Sequence, residues 1–574
     1  MSELATQYRT HTCGDLRAGD DGAEATLCGH ADRRLDDRRF LVRDRYGKTL
    51  VTVHDEALPY VPERFAALNP EDVVQVAGVV ALRDEKDRDK DLETGEVQLR
   101  ARTIEVLSPA ATLPPGVLDA KTVPPDDRNA FRQLYLRRPE MQARLELRSR
   151  VAQAIREYLV AEGFYEIETP HLFWYDRVAL ASEPIPVGGG KAFALPSGGL
   201  VLDQYIIAGQ FERFFQFLRV TRRELRAVTP MHAPEHTLLD LNLAYVDVPD
   251  FCAVVERLLA HVFRAVLGVE LATPFPSFTY HEALEKFGTD KPDLRLGLDI
   301  EEVPGATAGS GARRIRVPGG AAKLKEYELA KLTAEGARAG VHVSFRRVET
   351  GGPDGRPGDL VATFESPKNP GAAAVAAGAA RRTLAARVGP LESGTHAPCW
   401  ITSYPYLTDD RGTLVPAVAV FSQPRGSAMA DFADHPEARD KLLASAFDLV
   451  IDGVEVASAY IGNHDLRTQR FVWDEVLKFS TPDLVRVRAP IESHRFGVPP
   501  HGGMNIGFDR LVALLLGLEA IDEAMPFPKT PDCRDLLLDA PAPVPPEAVK
   551  DIVGAESPPA DVADRQLVEE TLKL

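Results

Sequence analysis

Cysteine is sparse and scattered. The 574-residue chain holds five, Cys13, Cys28, Cys252, Cys399 and Cys533, with no C-x-x-C pair among them; that argues against a zinc ribbon, a redox dithiol or a disulfide framework. Long apolar runs are also missing. None approaches the ~20 residues that span a bilayer, and the opening segment MSELATQYRTHTCGDLRAGDDG has no signal-peptide core, so a cytoplasmic protein with no membrane partner is expected. A surplus of positive charge is lacking too: the net charge of -18 argues against indiscriminate nucleic-acid binding. A local basic face survives between Asp32 and Lys48, where seven Lys/Arg stand against four Asp. It suits phosphates, and a solvated strand surface would look the same. No repeat of fixed period is found.

What is present is ordinary for a globular protein, 44% hydrophobic and 26% charged residues. The length is too great for one core and suggests roughly three or four domains. Residues 1–108 read as five short alternating strands (ATLCGHA, RFLVRD, KTLVTVHD, DVVQVAGVVALR, EVQLRARTIEVL), which suit a small barrel. The Pro-rich, aperiodic 107–129 reads as a linker. A helix is expected from Pro139, with Leu147, Val151, Ala154, Ile155, Tyr158 and Leu159 on one face, followed by a strand FYEIETP. Strands LRVTRREL and HTLLDLNLAYV and a helix from Pro249 to Val266 come next. From Gly288 to about Pro398 the composition turns Gly/Ala-rich, as in an inserted domain. Alternation of strand and helix resumes at Trp400, and a Pro-rich stretch leads into an expected terminal helix.

The chain is organised around 497–517, GVPPHGGMNIGFDRLVALLLG. A Gly-rich loop passes into a short strand, then Asp509-Arg510, then a buried helix start. An arginine at that junction is well placed to hold a phosphate, its planar fork matching phosphate oxygens; a strand-to-helix turn with a surface ion pair is the plain alternative.

Two further pieces accompany it: the long helix and strand ending at Pro170, and Thr221-Arg222-Arg223-Glu224. Together with GMNIGFDR (503–510) they resemble motifs 1, 2 and 3 of the class II aminoacyl-tRNA synthetases. The strings LRRPEM (136–141), FGTDKPDLR (287–295), RVPGGA (316–321), GVPPHGG (497–503) and FPKT (527–530) narrow the resemblance, over essentially the whole chain, to the bacterial-type aspartyl-tRNA synthetases. It implies an α+β protein: an OB-fold anticodon-binding barrel over 1–108, a linker over 109–130, a class II catalytic domain on an antiparallel sheet split into 131–287 and 399–535, a GAD-like α+β insert over 288–398, and a C-terminal extension over 536–574. A homodimer through the motif 1 region is implied as well.

The resemblance also implies roles. Arg222 bridges the substrate carboxylate and the α-phosphate of ATP, Arg510 takes the γ-phosphate, Asp448 and Glu455 hold Mg²⁺, and Glu224 and His236 hold the adenosine. The set belongs together because activation presses a carboxylate against a phosphate, two anions whose repulsion arginines and a metal must offset.

The departures fall in the amino-acid pocket. The family's Pro-Glu-Gly-Ala loop reads Arg177-Val178-Ala179-Leu180, and its Gln-Ser-Pro-Gln-x-x-Lys block reads Ser197 to Asp203, putting Asp203 in place of the lysine that meets an aspartate side chain. The second such cation is replaced by Gly462, the paired histidines by Val418 and Ala419, and the amino-binding Thr-Gln-x-Asp reads Thr237-Leu238-Leu239-Asp240. In the barrel the anticodon-reading glutamine is Thr52, beside Arg33, Arg34 and the non-basic Leu35. Two unit charges about 4 Å apart interact by roughly 4 kcal/mol at an effective dielectric near 20. An aspartate ligand thus loses two attractions of that size and meets one repulsion, from Asp203.

A divergent paralogue is therefore expected, an ATP·Mg²⁺-dependent adenylate-forming ligase acting on a carboxylate other than aspartate, with tRNA or another acyl acceptor as partner. Val178, Ser197, Asp203, Asp240 and Gly462 form its substrate pocket. Asp203 invites a cationic or neutral group; a solvated Asp203 in an empty pocket is the alternative. A non-catalytic nucleotide- or tRNA-binding regulator, and an active aspartate ligase, are the other readings. The H-x-x-E-H spelling at 232–236 is declined as a zinc site because Pro234 breaks the helix it needs. The Gly188–Lys191 run lacks P-loop spacing and reads as a hairpin turn, and His464 and His501 read as packing or turn histidines.

Overall fold

The computed structural model describes residues 3–55, 57–118, 121–174, 184–188, 191–199, 202–222, 229–303, 311–352, 355–367, 369–389, 395–410, 413–425, 441–480 and 493–543. It divides into two compact units, 1–144 and 145–574. The expected terminal helix lies outside the described residues. No described helix is long and apolar enough to cross a membrane.

In the first unit β1 (Glu24–Arg34), β2 (Arg39–Arg43), β3 (Lys48–Val53), β4 (Val73–Leu82) and β5 (Val97–Ser108) close into a barrel of order β1-β2-β3-β5-β4. Along β1 and β4 alternate residues turn inward, so Leu27, Val74, Val76, Leu99 and Ile104 fill the interior, as a half-buried strand's period of two requires. The stretch read as a linker is shorter than expected: Pro125–Ala130 is already a helical turn.

The second unit is built on an eight-stranded sheet. Its strands are β6 (Tyr165–Glu166), β7 (Arg213–Thr221), β8 (Glu235–Ala244), β9 (Ser277–Thr279), β10 (Pro398–Thr402), β11 (Ala446–Ile451), β12 (Val454–Gly462) and β13 (His501–Gly507), in the order β9-β10-β11-β12-β13-β8-β7-β6. Pairing is antiparallel except at the two edges. The FYEIETP segment yields only the two-residue β6, paired at an edge with β7.

The two faces of this sheet differ. Phe215, Leu239, Leu241, Met504, Ile506, Ala457, Ala459, Phe447 and Leu449 point to one side, against α1 (Pro139–Ala161), α3 (Val248–Leu267) and α4 (Phe508–Leu515). Each buried Leu or Phe there contributes about 1.5–3 kcal/mol. The α3 helix starts at an Asp247/Asp250 capping box and stops at Gly268, whose φ is +70°. The opposite face carries a polar row in register across five strands: Gln216, Asp240, Asn505, Ser458 and Asp448. The helix α2 (Asp203–Ala208) contributes Asp203 to this side.

Between Thr279 and Pro398 a four-stranded sheet (Ile300–Glu302, Arg313–Val317, Leu360–Glu365, His342–Arg347 in spatial order) packs on helices Glu326–Arg338 and Pro370–Val388 around its own apolar cluster.

Candidate active site

A cavity of about 960 Å³ opens on the polar face, and Arg222, His236, Asp448, Glu455, Asn505 and Arg510 are among its walls. Local sequence explains their placement. Asp452-Gly453, both at positive φ (56° and 81°), turn β11 into β12 as a two-residue hairpin must, which sets Asp448 and Glu455 on adjacent strands. Arg510 rides the first turn of α4, as the strand-to-helix reading expects; its Nε donates to the Met231 carbonyl at 2.9 Å and its Nη1 to the Glu455 carbonyl at 2.9 Å. Asp509, 1% exposed, accepts from the Thr237 N–H at 2.6 Å and pairs with Arg148. Arg222 lies just beyond β7, its Nε donating to the Ser197 carbonyl at 2.8 Å.

His236 donates Nδ1–H to the Ala233 carbonyl at 2.9 Å, and burial, then the Arg222 charge, lowers its pKa to about 4. It is neutral, a flat apolar-faced ring at the cavity wall. The H-x-x-E-H spelling does not lie on a helix, since Glu235 and His236 open β8.

Asp448 and Glu455 meet at one cation, the Lys291 ammonium. Lys291 Nζ pairs with Asp448, with Glu455 at 3.1 Å and with Asp290 at 3.0 Å, and donates to the Tyr404 hydroxyl at 2.8 Å. Burial alone would lower the Lys291 pKa; the charges of Asp448, Glu455 and Asp290 reverse this and raise it. Two hard carboxylates converging from neighbouring strands onto a cation fit Mg²⁺ shared with phosphate oxygens. Among the described residues no group of three or more His, Cys, Asp or Glu is placed to hold a metal ion by itself. Lys291 was not singled out from the sequence, although FGTDKPDLR contains it.

The residues expected to form a substrate pocket lie deeper, and Ser197, Asp203, Asp240 and Gly462 are not among the cavity's walls. Asp203 is 4% exposed, so the solvated alternative does not hold. Its carboxyl group faces that of Asp240: a Cβ added to Gly199 would sit 2.8 Å from Asp203 Oδ2 and 2.3 Å from Asp240 Oδ2. Asp240 accepts from Gln216 Nε2 at 2.7 Å and from Asn242 Nδ2 at 2.9 Å. Burial, then the Asp240 charge, holds Asp203 well above the usual carboxylate range. The pair thus shares one proton, with the charge favoured on Asp240, which accepts from the Gln216 and Asn242 amides. Ser197 is buried, and its carbonyl accepts from Arg222. Gly462 pairs with His501, and a Cβ at 462 would lie 2.3 Å from His501 Nε2; the ring has taken the room a longer side chain would need. Gln216, Asn242 and His501 carried no readable signal beyond polar residues in a strand and a loop.

Val178 and Glu224 lie outside the described residues. Arg33, Arg34 and Thr52 belong to the barrel unit: the two arginines are exposed at the end of β1, while Thr52 is 4% exposed with its hydroxyl 3.0 Å from His54 Nε2. Arg34 also lies over the Phe65 ring at 4.5 Å.

Two predictions follow from this packing. Gly462→Ala destabilises the protein by about 1–3 kcal/mol through overpacking, and adding His501→Ala recovers most of the loss; thermal unfolding of both singles and the double checks it. Asp203→Asn stabilises it near neutral pH. A carboxyl pKa raised on folding leaves the native state holding a proton that the unfolded chain has released, so stability falls as pH rises from the unfolded value towards the folded one. The stabilisation by Asn is therefore largest at pH 7 and shrinks towards pH 4, and unfolding midpoints across that range test it.

Residues 125–531 match the family described as tRNA synthetases class II (D, K and N). The aspartate--tRNA(Asp/Asn) ligase of Moorella thermoacetica is 33% identical over 594 residues, covering 96% of this chain and 97% of that protein. The ligase of the same name from Acidothermus cellulolyticus is 34% identical over 597 residues, covering 97% and 98%. The crystal structure of asparaginyl-tRNA synthetase from Pyrococcus horikoshii with asparaginyl-adenylate superposes with a TM-score of 0.59 at 17% identity, over 91% of this chain and 98% of that one, a likeness of fold. With the barrel, the antiparallel sheet and the cleft residues, these matches establish that the chain belongs to the class II tRNA synthetases of the D, K and N group and is an enzyme of that adenylate-forming type.

Proposed function

We propose that this aspartyl/asparaginyl-tRNA synthetase-like ligase forms an acyl-adenylate from ATP and a carboxylate other than aspartate. One observation carries the reading: Asp203, where the resemblance implies a lysine for the aspartate side chain, is a buried carboxyl group in contact with the carboxyl group of Asp240. A third carboxylate entering there meets acceptors and negative charge, and burial amplifies that repulsion.

The nucleotide half supports activation chemistry. Arg222 is positioned to hold the reacting carboxylate and the α-phosphate together, so in-line attack needs no protein nucleophile. Arg510, fixed through two backbone carbonyls, meets the γ-phosphate, and neutral His236 with Glu224 takes the adenosine. Asp448 and Glu455 would hold the Mg²⁺ that this class uses with ATP, which when bound offsets phosphate charge. Val178, Ser197 and Gly462 complete the substrate pocket. The acceptor is tRNA or another nucleophile, with Arg33 and Arg34 on the barrel face that would meet it; Thr52, expected in that role, is buried. The enzyme works as a cytoplasmic homodimer through the motif 1 region.

An active aspartate--tRNA ligase is the second reading, favoured by 33% identity to such ligases over 96% of the chain. ATP–pyrophosphate exchange across a panel of amino acids separates the two. Exchange with an acid other than aspartate is expected; exchange with aspartate alone establishes the second reading, and none with any acid leaves a non-catalytic nucleotide- or tRNA-binding protein.

A further inference from the structure

We propose that the amino-acid half of the cleft selects a substrate whose side chain carries a cationic amine. The inference rests on the reading that the site activates a carboxylate other than aspartate, and it names the class. The Asp203–Asp240 pair alone is an acidic cluster, which structural burial could also produce. Two unpaired atoms distinguish it. Among the described residues Asp203 Oδ1 has no hydrogen-bond partner although the residue is 4% exposed, and a buried acceptor left without a donor is unfavourable.

The second atom lies on another element. His501, 3% exposed, projects from the same sheet face one row beyond Asn242 and Gly503. Its Nδ1 is 2.9 Å from the Pro499 carbonyl oxygen, which can only accept, so Nδ1 carries the hydrogen and Nε2 presents a bare lone pair. Among the described residues that Nε2 also has no hydrogen-bond partner; it lies beside the Gly462 backbone, where an added Cβ would be 2.3 Å away. Asn505 Oδ1, in the row of Asp240, is unpaired as well. Asn505 Oδ1 and His501 Nε2 therefore stand on one sheet face two rows apart, a step of about 7 Å each, with Asp203 Oδ1 on α2 beside Asp240. Among the described residues the Gln204 side-chain NH₂ and the Ser422 hydroxyl are also unpaired, donors suited to a polar oxygen on the ligand.

Donors with positive charge fit this set best. An ammonium brings three N–H donors and lets both carboxyl groups ionise, where a neutral amide satisfies the lone pairs but leaves the shared proton in place. Gly198, whose added Cβ would lie 3.9 Å from Asn505 Nδ2 and 4.0 Å from Arg222 Nη2, links the acceptors to the arginine that holds the reacting carboxylate. A substrate with its carboxylate at Arg222 and its side-chain amine beyond Asp240 spans the two. An α-amine occupies one carboxylate; the second carboxylate and the His501 lone pair call for a second cationic centre.

The test is pyrophosphate exchange by the full chain with lysine, ornithine, 2,4-diaminobutyrate and arginine against norleucine, glutamine, asparagine and aspartate. An amine-bearing acid should exceed its neutral isostere at least 100-fold. Asp203→Asn should then reduce that exchange at least 30-fold, mainly through KM, with an unfolding midpoint no lower than that of the parent; Asp203→Ser serves the same purpose should the amide variant fail to fold. A neutral acid exchanging better than every amine-bearing one, or an Asp203→Asn enzyme with unchanged preference, overturns this inference and leaves the parent reading standing. Aspartate as the sole substrate, or no exchange with any acid, overturns both.

Discussion

Arg222→Ala lowers pyrophosphate exchange by roughly 10³-fold or more, with the acid that supports exchange in the parent enzyme. The magnitude follows from what the side chain offsets. A carboxylate and a phosphate must approach to bonding distance, and a fixed guanidinium on transferring phosphate groups is worth about 10³–10⁵ in rate. Here it is fixed: Nε is held by the Ser197 carbonyl at 2.8 Å, and the side chain lines the cavity. Arg222→Lys keeps the charge but not the fork, so it should recover only a small part of the loss. Because the Ser197 contact also organises the loop over Asp240, the unfolding midpoints of both variants are needed; a loss of exchange with unchanged stability assigns the effect to the transition state.

Lys291→Met destabilises the second unit by about 3–5 kcal/mol, the range for removing one partner of a buried ion pair. Asp448 is at the root of the effect. Its carboxylate is buried on β11 and is held by the Lys291 ammonium and the Tyr404 hydroxyl, the latter at 2.7 Å. Burial already raises its pKa against the opposing effect of Lys291; without the lysine it must stay protonated or remain an unpaired charge. The penalty is thus greatest at neutral and alkaline pH and fades in acid as Asp448 takes up a proton. Millimolar Mg²⁺ should restore part of the lost stability in Lys291→Met and change the parent little, since the parent already has a cation between Asp448 and Glu455. Thermal unfolding with and without Mg²⁺ at two pH values checks all three statements.

Much of this architecture was legible. The barrel strands announced themselves by period-two alternation with turn residues between them, the buried helix α3 as a helix from Pro249 to Val266, and the 497–517 stretch by glycines ahead of Arg510. Element ends were less legible: β6 is two residues long because only an edge partner is available to it, a tertiary circumstance. In the cleft, Arg222, His236, Asp448, Glu455 and Arg510 were named from motifs and do line one cavity. The environments of Asp203, Gly462 and Asp448 were not foreseen.

By itself the sequence determined which residues could be strand, helix or turn, the family, and the charges available to the cleft, because periodicity, capping and motif spacing are local properties of a chain. Tertiary structure alone decided that Lys291 neutralises Asp448 across 157 positions, that Asp203 is buried against Asp240 instead of turned to solvent, and that His501 fills the room beside Gly462. Those outcomes depend on register: only when β8, β12 and β13 align in the sheet does one row of side chains share a face, and only then do burial and neighbouring charge set what each group can bind.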